Sequence, residues 1–250
     1  MAPPIVFVSH AAVDSELATA FKEDAETNFL GMCRLFVSSN LDSIAGGSEW
    51  IREIKANLEQ ASILVGLLSP VAIQRPWIYV EFGAGWIRSI PTIAVCHSGL
   101  FREQLPVPLS NFQALNLADE VHLRHLYEQV SAAVGCKLPP ANFAGLVARY
   151  KDITEVHRCA RAIREWFSRL LSWNPELSSL ATEDAVEILV PAEADAAFRQ
   201  VLALFASENF LVFEPRGMAM GTRVGFQATV WIARKGSSYA TQLATLSTVK

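Results

Sequence analysis

Pro3-Pro4-Ile5-Val6-Phe7-Val8-Ser9-His10-Ala11-Ala12-Val13-Asp14 is the stretch that decides how this chain folds. The paired prolines introduce four apolar residues with nothing polar among them. A strand buried on one face alternates apolar with polar, whereas one covered on both faces is apolar throughout. Ile5 to Val8 is therefore expected to be a buried strand of a parallel sheet. Ser9 and His10 end the run. Asp14 then stands where it can cap a helix reaching about Asn28, with Leu17, Ala20 and Phe21 on one face.

The same alternation continues outward from this unit. Cys33 to Val37 reads as a second strand, Ile63 to Leu68 as a third, Thr92 to Val95 as a fourth and Ala114 to Leu117 as a short fifth. Between them lie a helix from Glu49 to Gln60, with Trp50, Ile54 and Leu58 spaced by four, a helix from Trp77 to Arg88, and a closing helix from Glu120 to Val134. Strands separated by helices give an α/β fold, a parallel sheet with helices on both faces. Lys137-Leu-Pro-Pro-Ala141 interrupts both element types, so the expected domains are residues 1–138 and 139–250. The second part opens with a long amphipathic helix, Phe143 to Trp173, whose Ile163, Trp166, Phe167, Leu170 and Leu171 form one apolar face. It continues with short strands at Val186 to Val190, Phe210 to Phe213 and Val224 to Ile232, a helix at Ala194 to Ser207, and a last helix after Gly236. A helix followed by a two-stranded wing would make this a small α+β or winged-helix-like unit.

Composition narrows the function. Of the 250 residues 51% are apolar and 18% charged, and the net charge is −4, which supports a full core and excludes a histone-like basic protein. Mean hydropathy is high, +0.25. Even so, the longest apolar runs fall far short of the roughly 18 residues that cross a bilayer, and the start shows no signal-peptide pattern. Cys33, Cys96, Cys136 and Cys159 form no C-x-x-C pair and the five histidines are scattered, so reduced thiols in the cytoplasm and no metal site are expected. Residues 145–250 are close to neutral, which argues against direct nucleic-acid binding. Arg158, Arg161, Arg164 and Arg169 on the long helix read either as a solvated face or as a phosphate contact.

In a doubly wound sheet, ligands bind beyond the carboxyl ends of the strands where strand order reverses. With the flavodoxin-like order 2-1-3-4-5, that crevice receives Ser9, His10 and Ala11 from the first strand and Ser69 from the third, with Ser38 beside them. Several users of this architecture are excluded there. The segment after the first strand has no glycine, so the dinucleotide fingerprint is missing, and so is a phosphate-binding P-loop. Leu67-Leu68-Ser69 offers no phospho-accepting aspartate, and no G-x-S-x-G elbow occurs. What remains is Trp77-Ile-Tyr-Val-Glu81-Phe-Gly-Ala-Gly-Trp86. Trp77 and Glu81 share a helix face, and a carboxylate among Trp77, Val80, Phe82 and Trp86 is costly to bury without a partner or a task. The spacing alone also fits a surface glutamate near a helix start.

At these residues the chain resembles a TIR domain of the bacterial type. The resemblance rests on Val6-Phe-Val-Ser-His10, Leu35-Phe-Val-Ser-Ser39, Leu41-Asp-Ser-Ile-Ala-Gly-Gly-Ser-Glu-Trp50, Ala61-Ser-Ile-Leu-Val-Gly-Leu-Leu-Ser-Pro70, Trp77-Ile-Tyr-Val-Glu81 and Phe82-Gly-Ala-Gly-Trp86, in order, over about residues 4–135. It implies a flavodoxin-like fold and, as in many bacterial members, cleavage of NAD+ at the nicotinamide–ribose bond in anti-phage defence or signalling. By the W-x-x-x-E pattern, Glu81 matches the family's catalytic glutamate. Ser9, His10, Ala11 and Ala12 match the loop lining the nucleotide pocket, with Ser38 and Trp77 as further candidate contacts. Relatives often carry polar or basic residues after the first-strand serine, where Ala11-Ala12 offers mainly backbone. Asn40 to Glu49 matches the BB loop, through which a neighbouring subunit often completes the site, so self-association is expected. NAD+ would be the substrate, and no cofactor is expected. The second domain would sense, dock to a protein partner or oligomerise. A non-catalytic adaptor working by TIR–TIR association fits the same frame.

Overall fold

A computed structural model of the chain describes residues 3–38, 47–220 and 227–240. The residues form two compact units, Met1–His157 and Arg158–Lys250.

In the first unit, β1 (Ile5–Ser9), β2 (Arg34–Val37), β3 (Ala61–Leu68), β4 (Thr92–Cys96) and β5 (Gln113–Asn116) form one parallel sheet in the order β2-β1-β3-β4-β5. This is the order assumed from the pattern. Because strand side chains alternate faces, each central strand feeds two cores. Val6 and Val8 of β1, Ile63, Val65 and Leu67 of β3, and Ile93 and Val95 of β4 pack with α1 (Ser15–Asn28), α4 (Glu120–Val134) and the start of α5 (Phe143–Trp173). Phe7, Leu64, Leu68, Ala94 and Cys96 face the other way, toward α2 (Gly47–Gln60) and α3 (Pro76–Ile87). The continuous apolar runs in the sequence are thus two interleaved faces, each covered.

Two glycines set how closely α3 lies on the sheet. A Cβ on Gly66 of β3 would stand 2.3 Å from the Phe82 ring, and one on Gly85 would stand 2.6 Å from the Thr92 hydroxyl. Their bare backbones let α3 settle onto β3 and β4. Arg88, just after α3, donates to the carbonyls of Leu58 at 2.5 Å and Ala61 at 2.9 Å and so ties the end of α2 to α3.

The proline-rich break at Lys137–Ala141 was expected to end the first domain, yet the structural division falls later, after His157. The reason is packing. Phe143, Val147 and Tyr150 of α5 are buried in the first core, where Phe143 meets Tyr127 and Tyr150 meets Phe21.

The second unit holds the end of α5, β6 (Ala185–Pro191), α6 (Ala192–Ser207), β7 (Leu211–Met220) and β8 (Gln227–Lys235). Its sheet is antiparallel in the order β6-β8-β7, three strands rather than a two-stranded wing, because β6 pairs with β8 along its whole length. The inner face carries Val186, Ile188, Val190, Trp231 and Ala233 against Phe198, Phe205 and Leu170. Both edges are blunted against further strand pairing. Pro215 and the irregularity before Gly217 interrupt β7. On β6 the fully buried Asn174 occupies the outward groups of Leu189: its amide nitrogen donates to the Leu189 carbonyl at 2.9 Å, and its oxygen accepts the Leu189 N–H at 2.6 Å. The final helix expected after Gly236 lies largely outside the described residues, as do the residues of the strand before Gln227.

Candidate active site

The carboxyl end of β1 and the middle of α3 meet. Ser9, the last residue of β1, is fully buried, and its hydroxyl donates to Oε2 of Glu81, itself 1% exposed. Glu81 is the only charged residue of α3. Its position follows from the docking of the helix: with Phe82 seated over Gly66, the preceding residue points toward β1. Burial pushes the Glu81 carboxyl up to about 7, while the Ser9 hydroxyl and the nearby Trp77 indole act in the opposite direction. Its other oxygen, Oε1, is sealed from solvent and has no hydrogen-bond partner among the described residues. A native protein leaves few such atoms unpaired, so each one calls for a reason.

Of the residues singled out from the sequence, Ser9 and Trp77 stand at this carboxyl. Trp77 lies one turn earlier on α3 and, with Glu81, Ile54, Leu58, Ala84 and Arg88, lines a cavity of about 320 Å3 between α2 and α3. His10 is buried next to Ser9, and neither ring nitrogen meets a hydrogen-bonding partner among the described residues. Burial lowers its pKa to about 4, against a smaller opposing effect of the Val8 carbonyl, so the imidazole is neutral at pH 7. Ala11 is buried and Ala12 is exposed. The Ser38 hydroxyl donates to the Val8 carbonyl at 3.4 Å, at the end of the β1–β2 pairing. The BB-loop assignment, Asn40 to Glu49, lies outside the described residues up to Gly46, and nothing is described of the side chains that follow as far as Glu49.

Two features were missed from sequence. Asp14 was read as the cap of α1, but its side chain makes no capping bond; it accepts from the Ser69 hydroxyl at 2.7 Å, and both residues are buried. Ser69 Oγ also accepts the Ala72 N–H, so this pair fastens the ends of β1 and β3 together beside the Ser9–Glu81 bond. A partner 55 residues away leaves no local signal. The second is Trp50, which lies against Trp77 with ring centroids 5.0 Å apart. Its spacing had marked it only as a core residue of α2.

Chemically, the crevice offers one carboxyl poised to ionise near neutrality, aromatic walls and a neutral imidazole. Among the described residues no group of three or more His, Cys, Asp or Glu is placed to hold a metal ion, and no helix is long and apolar enough to cross a membrane. A search of curated proteins finds no match to the chain. A family model described as TIR domain matches residues 6–129, which span β1 to most of α4 and hold Ser9, Glu81 and the whole five-stranded sheet. By this match and by their flavodoxin-like strand order, residues 6–129, just under half of the chain, form a TIR domain.

Proposed function

We propose that the protein is an NAD+ glycohydrolase that cleaves the nicotinamide–ribose bond, with Glu81 as the catalytic residue. Nicotinamide leaves as a neutral pyridine and needs no proton from the protein. The barrier lies in the positive charge that builds on the ribose carbon and ring oxygen. One ionised carboxylate beside that charge stabilises it, by roughly 3–4 kcal/mol if it acts as other preorganised charges do. Ordinary glycosidases require a second acid because their leaving group is an alkoxide. The observation that carries this reading is a single carboxyl group, nearly free of solvent contact, with one oxygen held by Ser9 and the other unpaired. Trp77 would pack against the pyridine ring, His10 and the backbone of Ala11 and Ala12 would meet the remainder of the dinucleotide, and the product would be ADP-ribose or a cyclic isomer.

A second reading, a TIR adaptor without catalysis, is favoured by the outer side of α3. Val80, Trp86 and Ile87 are 55%, 72% and 77% exposed on a helix with no charged residue on that side. Such a face calls for a partner, and a TIR domain suggests a second TIR domain. Association would serve both readings, because an active site completed by a neighbour is silent in the monomer. The test is to incubate concentrated protein with NAD+ and identify products by mass spectrometry, for wild type, Glu81→Ala and Ile87→Asp. The enzyme reading expects nicotinamide from wild type, none from Glu81→Ala, and a reduced yield from Ile87→Asp in proportion to lost self-association. Assembly without nicotinamide release at any concentration would establish the adaptor instead.

A further inference from the structure

Three polar atoms at the candidate site are buried without a partner among the described residues: Oε1 of Glu81 and the indole nitrogens of Trp77 and Trp50. Two are donors and one is an acceptor, and although the Trp77 indole lies near the Glu81 carboxyl, no hydrogen bond of good geometry joins any two of them. Such an arrangement costs stability that an occupied site would recover. All three are also sealed from solvent, so no ligand reaches them as the side chains stand. Two of the three belong to the Trp50–Trp77 pair, whose ring centroids lie 5.0 Å apart with planes tilted by 40°. At that separation the rings touch, and no planar group fits between them. Trp77 is held by α3, which is clamped to the sheet through Phe82 and Gly66. Trp50, near the start of α2, is only partly buried, as is Trp77.

We infer that Trp50 is a gate residue: its indole occupies the face of Trp77 on which the pyridine ring of the substrate would stack, and it must swing away before that ring and Glu81 Oε1 become accessible. This rests on the reading of Glu81 as the centre of an NAD+ site. Trp50 makes no bond in the reaction. It is a positioning residue that sets the population of the open site, and it therefore governs substrate affinity more than the chemical step.

The test uses the full chain and a carbocyclic NAD+ analogue whose nicotinamide bond cannot be cleaved. Its affinity is measured by titration calorimetry for wild type, Trp50→Ala, Trp50→Leu and Trp50→Phe, each with its Tm. An aromatic pair contributes about 0.5–1.5 kcal/mol beyond burial, so removal of the gate should tighten binding about two- to twelvefold. The Phe variant should remain near wild type. Trp50→Ala is expected to bind more tightly while melting lower, a divergence that a purely structural role does not give; if it does not fold, Trp50→Leu carries the same expectation. Tight binding by wild type with weaker or equal binding by the Ala and Leu variants would overturn the gate and leave the reading of Glu81 intact. Binding by none of the proteins would overturn both.

Discussion

Glu81→Gln should make the first unit more stable above pH 7 and change it little near pH 5. In the native state the carboxyl is pushed from its ordinary 4.5 up to about 7. The folded form thus holds a proton that the unfolded chain has already released between those values. Stability belonging to this group is complete below about 4.5 and is lost as pH rises through 7. A shift of this size corresponds to about 3 kcal/mol. Glutamine keeps the acceptor for Ser9 and never ionises, so at pH 8 the variant should gain about 3 kcal/mol over wild type. His10 acts in the opposite sense. Its pKa falls from 6.5 to about 4, so the unfolded chain binds the proton first, and stability is lost as pH drops below 6.5, again by about 3 kcal/mol. In wild type the two slopes nearly cancel between pH 4.5 and 6.5. In Glu81→Gln the His10 slope stands alone, and stability should climb by about 3 kcal/mol across that range. Urea unfolding at pH 4.5, 6.5 and 8, with hydrogen exchange of the β1 and β3 amides to isolate this unit, measures both effects. A difference between variant and wild type that is the same at pH 5 and pH 8 would refute the claim that burial keeps this carboxyl protonated.

Three further outcomes follow from the same geometry. Because the ionised carboxylate is the active form, kcat/KM for NAD+ should rise tenfold per pH unit below about 7 and level off above it; in Ser9→Ala, which removes a bond favouring ionisation, that limb should move to higher pH. Gly66→Ala should lift α3 from the sheet, costing about 1–3 kcal/mol by overpacking and lowering nicotinamide release along with stability; unchanged release would show that close seating against Phe82 does not position Glu81. Asn174→Ala strands the N–H and carbonyl of Leu189 and should destabilise the second unit by about 2–3 kcal/mol, with faster exchange of the Leu189 amide; an unaltered exchange rate would mean that Asn174 is not what protects the β6 edge.

The parallel sheet was legible because Ile5–Val8 of β1 and Ile63–Leu68 of β3 contain no polar side chain, the signature of strands covered on both sides. Glu81 was legible because it is the one charged residue in an otherwise uncharged helix and because the W-x-x-x-E spacing matches a family pattern. Its hydrogen bond to Ser9 was not, since that depends on how deeply two glycines let α3 settle. Asp14 does stand at the N-cap position of α1, but its bond to Ser69 was missed for the same reason, local spacing being blind to a partner across the sheet. The domain boundary was placed at the prolines, although Phe143, Val147 and Tyr150 continue the first core beyond them. Periodicity shows which side of a helix is buried, not which neighbour buries it. In the second unit, Val186 to Val190 was legible as a strand, while its inner face and the role of Asn174 in closing its edge were visible only in three dimensions.

The most direct measurement is the rate of nicotinamide release from NAD+ by concentrated protein at pH 8, for wild type beside Glu81→Gln. A carboxylate that carries the developing ribose charge predicts a loss of about 100- to 1,000-fold in the glutamine variant, with binding of the uncleavable analogue retained. Equal rates for the two proteins, or no release from wild type under conditions where it self-associates, would contradict the assignment of Glu81 as the group that breaks the bond.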